Sequence, residues 1–172
     1  VAVVDAASDA TFGAVGDQTV NVTTTDDDVP GFTIVESGGS TGVNESGTTD
    51  TFTIVLDAQP TSNVVLTITS DDTGEATVPA SATFTSANWN TPQTITVTGI
   101  NDGTLIDGDQ DTNVIVSIDD ANSDDGFDAL EDQTVVVTTT DDDIPEFTVT
   151  ETNGSTAVAE SGTTDTFTVV LD

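Results

Sequence analysis

Two runs of three aspartates, Asp26-Asp27-Asp28 and Asp141-Asp142-Asp143, are the residues best equipped for chemistry. Each follows Thr-Thr-Thr, and each precedes an aliphatic residue and a proline, Pro30 or Pro145. Carboxylates on short stems are hard oxygen donors, and Ca²⁺ takes about six to eight such oxygens in flexible geometry. Three successive side chains on an extended segment cannot all face one way, so at least one Asp of each triplet meets a different partner from the others. The triplets therefore read as calcium ligands beside a proline-marked junction, with acids from other loops converging on them. Most remaining acids, Asp124, Asp125 and Asp128 among them, read as solvated turn residues.

Other chemistries lack their residues. The chain has 32 acidic residues and no Lys, Arg or His, a formal net charge of −32. Nucleic-acid binding needs cations to neutralise phosphates, so it is excluded, and an anionic membrane surface repels such a chain. Without His or Cys, zinc is a poor fit. The run Asp107-Gly108-Asp109-Gln110-Asp111 resembles part of an EF-hand loop, but its glycine comes too early and no terminal Glu follows. Nucleophilic triads need a base beside Ser, and both His and Lys are absent, so no enzyme is expected. No apolar run is long enough to span a bilayer. The lack of Cys leaves the redox compartment undetermined, and the lack of Lys and Arg removes every trypsin site.

The triplets recur at an offset of 115 (141 − 26), and residues 1–57 align on 116–172 without a gap. Identity is roughly two-thirds over that overlap, which marks a tandem array of structural units. The expected division is 1–30 as the end of one repeat, 31–143 as a complete repeat and 144–172 as the start of the next. Val1 is expected to fall inside a late strand. Within the complete repeat, period-two alternation of β-branched and aromatic residues predicts seven strand regions. They are 32–36, 51–56, 63–69, a bent edge region at 75–78 and 82–85 broken by Pro79, 93–100, 113–118 and 133–140. Phe52, Ile54 and Leu56 share one face, as do Val64, Leu66 and Ile68. That count and spacing suit an all-β, immunoglobulin-like sandwich, repeated in tandem. Phe127 is expected to fold the acidic loop 122–132 over one end, and Trp89 to plug the sandwich edge.

Several runs carry a family likeness: Thr51-Phe52-Thr53-Ile54-Val55-Leu56-Asp57, residues 82–97 with Asn88-Trp89-Asn90-Thr91-Pro92-Gln93 inside them, Asp107-Gly108-Asp109, and the closing Thr-Asp-Asp-Asp. Together they resemble the Calx-beta repeat, in the form strung along very large bacterial surface and secreted proteins. That resemblance implies a seven-stranded sandwich with Ca²⁺ held by loops at one end. It also implies ligands at Glu45, at Asp71 or Asp72, at Asp102 with Asp107 and Asp109, and at Asp141, Asp142 and Asp143. Asp26, Asp27 and Asp28, and Glu160, are the counterparts in the flanking repeats. The loop 101–111 is less Glu-rich than in the exchanger members of that family.

The expectation that follows is a structural segment of an extracellular bacterial fibre or adhesin stalk, on the cell surface or secreted. Its partners are neighbouring copies of the repeat, end to end, with Ca²⁺ stiffening each junction. A surface module that binds carbohydrate or protein is the alternative from another class, and a glycan-coated acidic filament without specific calcium is a third reading. Asn21, Asn44 and Asn153 stand in Asn-x-Ser/Thr acceptor patterns, and the exposed threonines Thr94, Thr96 and Thr98 offer further positions for sugars.

Overall fold

The alternating runs become strands because β-branched and aromatic side chains fit a pleated surface with one face buried. The structure, a computed structural model, describes residues 1–2, 4–103 and 105–171, with the backbone alone at Asp5. Asp172, which the repeat offset sets against Asp57, lies outside the described residues. In chain order the strands are β1 Phe32–Glu36, β2 Thr41–Asn44, β3 Thr49–Leu56, β4 Val64–Ser70, β5 Ala76–Thr77, β6 Ser81–Phe84, β7 Gln93–Gly99, β8 Gln110–Ile118, β9 Gln133–Thr140, β10 Phe147–Glu151 and β11 Phe167–Leu171. A four-stranded sheet runs β1-β3-β7-β5, and a five-stranded sheet runs β2-β9-β8-β4-β6. Within these two sheets every pairing is antiparallel except that of β2 with β9.

The two sheets face each other as an immunoglobulin-like β-sandwich. Phe52, Ile54 and Leu56 of β3 and Ile95 and Val97 of β7 meet Val64, Leu66 and Ile68 of β4, with Val114, Val116, Val135 and Val137 from β8 and β9, all buried. Each such side chain contributes about 1.5–3 kcal/mol on leaving water. Phe127 is buried in the same core, so the acidic loop that carries it does fold over the sandwich. Trp89 packs half-buried against the core, and its carbonyl accepts a hydrogen bond from Leu56 N–H at 3.1 Å.

Nine strands replace the seven expected, for local reasons. After β1 the chain changes sheets through a turn at Ser37–Gly39, where Gly38 and Gly39 have φ of 69° and 89°. Glycine takes such values without strain. The following β2 is four residues long and includes Gly42, so no alternation announces it. Around Pro79 the chain changes sheets again, and the bent region divides into β5 at the edge of one sheet and β6 at the edge of the other.

The flanking repeats behave differently at the two ends. Among the described residues of 1–31 there is no strand, contrary to the expectation at Val1. β9 is held between β8 and β2 of its own repeat, and its copy at residues 18–25 has no such neighbours. At the other end β10 and β11 pair as a hairpin, with Phe147 opposite Leu171 as Phe32 is opposite Leu56. With no second sheet over them, Phe147 and Phe167 are 65% and 56% exposed, against 5% and 0% for Phe32 and Phe52.

Candidate metal centre

At one end of the sandwich the inward-facing positions turn from aliphatic to polar. Along β8 the buried series runs Val116, Val114, Thr112; along β9 it runs Val135, Val137, Thr139; and Thr41 of β2 is buried beside them. Beyond this shell lie two buried acids, Glu45 and Glu75. Glu45 follows β2 directly, and its N–H donates to the Thr140 carbonyl at 3.2 Å, which ties it to the end of β9. Glu75 precedes β5; its own carbonyl accepts from Ile100 N–H at 2.8 Å, so it sits beside the end of β7.

The aspartates converge on Glu45 from two directions. Carboxylate oxygens of Glu45, Asp141 and Asp143 lie within 4.8 Å of one another, and so do those of Glu45, Asp102 and Asp107. Opposed ligand oxygens of one bound Ca²⁺ lie no more than about 5.2 Å apart, so oxygens this close can share a single ion. Asp141 and Asp143 are half-buried while Asp142 between them is exposed. The alternation of an extended segment thus sends two Asp of the triplet inward and one outward. The turn is set by Asp143 N–H donating to Asp141 Oδ1 at 2.8 Å. Gly108 N–H donates to Asp141 Oδ2 at 2.9 Å, which docks the 101–109 loop on the triplet.

These buried oxygens have no protein partners. Both carboxylate oxygens of Glu45, one of Glu75 and one of Asp143 are enclosed without a hydrogen bond. Burial, then the neighbouring charges of Asp102, Asp141, Glu75 and Asp107, push Glu45 up to about 7. Burial and Asp107, Asp72, Asp102 and Asp141 likewise raise Glu75. Asp143 is raised by burial and then by the charges of Asp141, Asp102, Asp142 and Asp107. A buried carboxylate without a donor is costly unless it protonates or meets a cation. The chain has no Lys, Arg or His side chain to pair with these acids, and the chemistry of the donor set fits a hard divalent ion.

The remaining expected ligands sit around this centre in other roles. Asp109 Oδ1 accepts from Asp141 N–H at 3.3 Å and so braces the triplet. Asp71 is taken up by β8, accepting from Asn113 N–H and Nδ2 at 2.8 Å each, which lowers its carboxyl. Asp72 closes its own turn with Gly74 N–H at 2.9 Å and adds to the charge around Glu75. Asp26, Asp27 and Asp28 form an exposed cluster with the same turn, Asp28 N–H donating to Asp26 Oδ1 at 3.1 Å. Among the described residues no fourth acid is grouped with them. Asp26 and Asp28 instead line a cavity of about 200 Å³ with Pro30, Pro60, Thr61 and Phe127. Glu160 is exposed and joins no acidic group among the described residues.

The glycan acceptor patterns divide by exposure. Asn21 and Asn153 are exposed, whereas Asn44 is half-buried in β2 with its Oδ1 accepting from Ser46 N–H at 2.8 Å. Thr94 and Thr96 are exposed and Thr98 half-buried on the outer face of β7.

Three acids were misjudged from sequence, among them Asp128, whose Oδ1 is enclosed without a hydrogen-bond partner and whose carboxyl is raised by burial. Glu75 looks like the first residue of a strand, and the signal that it belongs to the site is its place at the end of the acidic turn 71–75. Asp124 is no solvated turn residue: its carboxylate accepts from Thr61 Oγ1 at 2.6 Å, Thr61 N–H at 2.7 Å, Ser62 N–H at 2.9 Å and Gly126 N–H at 3.0 Å. Led by the Thr61 hydroxyl, these donors hold it well below the usual carboxylate range.

No family model matches this chain, and no curated protein matches it. Among solved structures, the E. coli chaperone DraB is similar at 8% identity and a TM-score of 0.47, with 69% of this chain and 59% of that one covered. The PapD-like domain 7 of human CEP192 is similar at 12% identity and a TM-score of 0.44, covering 74% and 96%. Domains 1–6 of the surface layer protein SbsC are similar at 18% identity and a TM-score of 0.45, covering 90% of this chain and 24% of that one. At identities this low the likeness is one of fold alone.

Proposed function

We propose that the chain is a structural segment of an extracellular fibre or adhesin stalk, built from tandem Calx-beta-like sandwiches, in which Ca²⁺ bound at the end of each repeat stiffens the link to the next. The observation that carries this reading is Glu45: a buried carboxylate without a protein partner, facing Asp141 and Asp143, two residues before the Pro145 that opens the next repeat. An ion here ties the end of β9 to the β2–β3 turn and the 101–109 loop, so the residues from which the linker departs become fixed. Glu75 joins the expected ligands as a further acid of the site. In this reading the acids act as ligands to an ion, and no reaction is assigned to them.

The test is small-angle scattering of a chain that spans two complete repeats, at constant ionic strength, in Ca²⁺ and in a chelator. A longer, stiffer particle in Ca²⁺ than in chelator is the expected result. Identical scattering in both overturns calcium stiffening. A compact particle in both overturns the rod.

A further inference from the structure

The candidate centre lies on a seam between the two sheets. Glu45 belongs to the connection from β2 to β3, Asp141 and Asp143 follow β9, and Asp102 and Asp107 lie on the connection that carries the chain from β7 in one sheet to β8 in the other. β2 is counted in the five-stranded sheet, at its edge, but its other ties run to the β3 side. Gly42 N–H donates to Asp50 Oδ2 at 2.9 Å, and Asn44 N–H donates to Thr48 Oγ1 at 2.7 Å. Toward β9 there are only the four-residue parallel ladder and the Glu45 N–H bond to the Thr140 carbonyl.

We infer that the bound cation is the clasp that holds β2 on β9, and that without it β2 moves off with β3 and leaves the β9 edge from Val137 to Thr140 unpaired. This rests on reading the acids around Glu45 as a cation centre. Without an ion, the carboxylates on the two sides of the seam repel each other at short range in a partly desolvated space. With a divalent ion, ligands from both sides share one positive charge, and the same groups draw the seam shut. Burial of Thr41 and Val43 opposes opening, so the edge is poised between the two conditions. An exposed strand edge is a template for pairing with another chain.

Hydrogen exchange read by mass spectrometry tests the clasp on the whole chain at neutral pH, in millimolar Ca²⁺ and in chelator at matched ionic strength. Calcium binding is measured in parallel by calorimetry. The expected result is that Ca²⁺ slows exchange across residues 41–45 and 137–140 by at least about tenfold, while the amides of β4 and the middle of β8 are unchanged. Glu45→Gln, which removes the repelling charge, recovers part of that protection in chelator; Asp143→Asn does the same by another route. Unchanged exchange at the seam, with calcium bound by calorimetry, overturns the clasp and leaves the cation centre standing. Absence of calcium binding overturns the centre and the clasp together.

Discussion

Glu45 and Asp124 are both acids on connecting segments, and the structure gives them opposite electrostatics. Glu45 in the fold is raised from an ordinary 4.5 to about 7, so between those pH values the folded state holds a proton that the unfolded chain has lost. Its contribution to cation-free stability is therefore full below about pH 4.5 and falls as pH rises through 7. Asp124 is depressed, so its contribution is full above its ordinary 3.8 and is lost as pH falls below that. Thermal melts of the cation-free protein across pH should thus peak near about pH 4 to 5, and Glu45→Gln should flatten the decline on the alkaline side. Asp124→Ala removes the acceptor for three backbone N–H groups and should cost about 1 kcal/mol at pH 7, read by denaturant titration. Neither residue's state could be read from its neighbours in sequence. Solvation depends on which loop donors and walls surround a carboxylate, and those come from residues distant along the chain, such as Thr61 for Asp124 and Asp102 for Glu45. The Asp triplet was more readable, because strand geometry alone sends Asp141 and Asp143 one way and Asp142 the other.

The strands that could be read are those whose partners reward alternation. β3, β4, β7, β8 and β9 bury the middle of one face, so every second residue there is apolar, giving way to threonine at the site end of β8 and β9. β2 escaped because it is a short edge element placed by glycines on either side of it and by a glycine across from it. At Gly99 of β7 an added Cβ would collide with the backbone carbonyl of Asn44, which is how closely β2 lies against that strand. Gly99→Ala should destabilise the fold by about 2 kcal/mol and also weaken calcium binding, since Asn44 immediately precedes Glu45. Calorimetric titration beside denaturant unfolding checks both effects. A change in stability without any change in calcium binding would separate β2 from the site. At the opposite element, Phe127→Ala should cost about 3–4 kcal/mol by emptying the sandwich end that its acidic loop closes.

Over the whole molecule, charge is sorted by position. The strands carry only Glu36, Asp50, Asp111 and Glu151 of the 32 acids, and the others crowd the connections and the ends. The sheet faces are largely threonine and valine. Self-repulsion is therefore concentrated where the connections meet, and general screening by salt and specific binding of an ion act on the same places. Salt should raise the melting temperature gradually, through a shortening Debye length. A specific ion should raise it with saturation. The repeat itself was plain in the sequence because 115 residues separate near-identical runs, but the seam is a property of pairing between strands far apart in the chain.

Whether Glu45 and the aspartates facing it hold Ca²⁺ is read from the melting temperature of the chain at pH 7 and fixed ionic strength, titrated with Ca²⁺, Mg²⁺ and NaCl, for the wild type and for Glu45→Gln. A saturable rise of about 10 °C is expected for the wild type at Ca²⁺ well above its dissociation constant. Mg²⁺ should do less, since it demands a tighter octahedral shell. Glu45→Gln should lose most of the calcium response. An equal rise with matched NaCl, or a full calcium response in Glu45→Gln, would contradict the account.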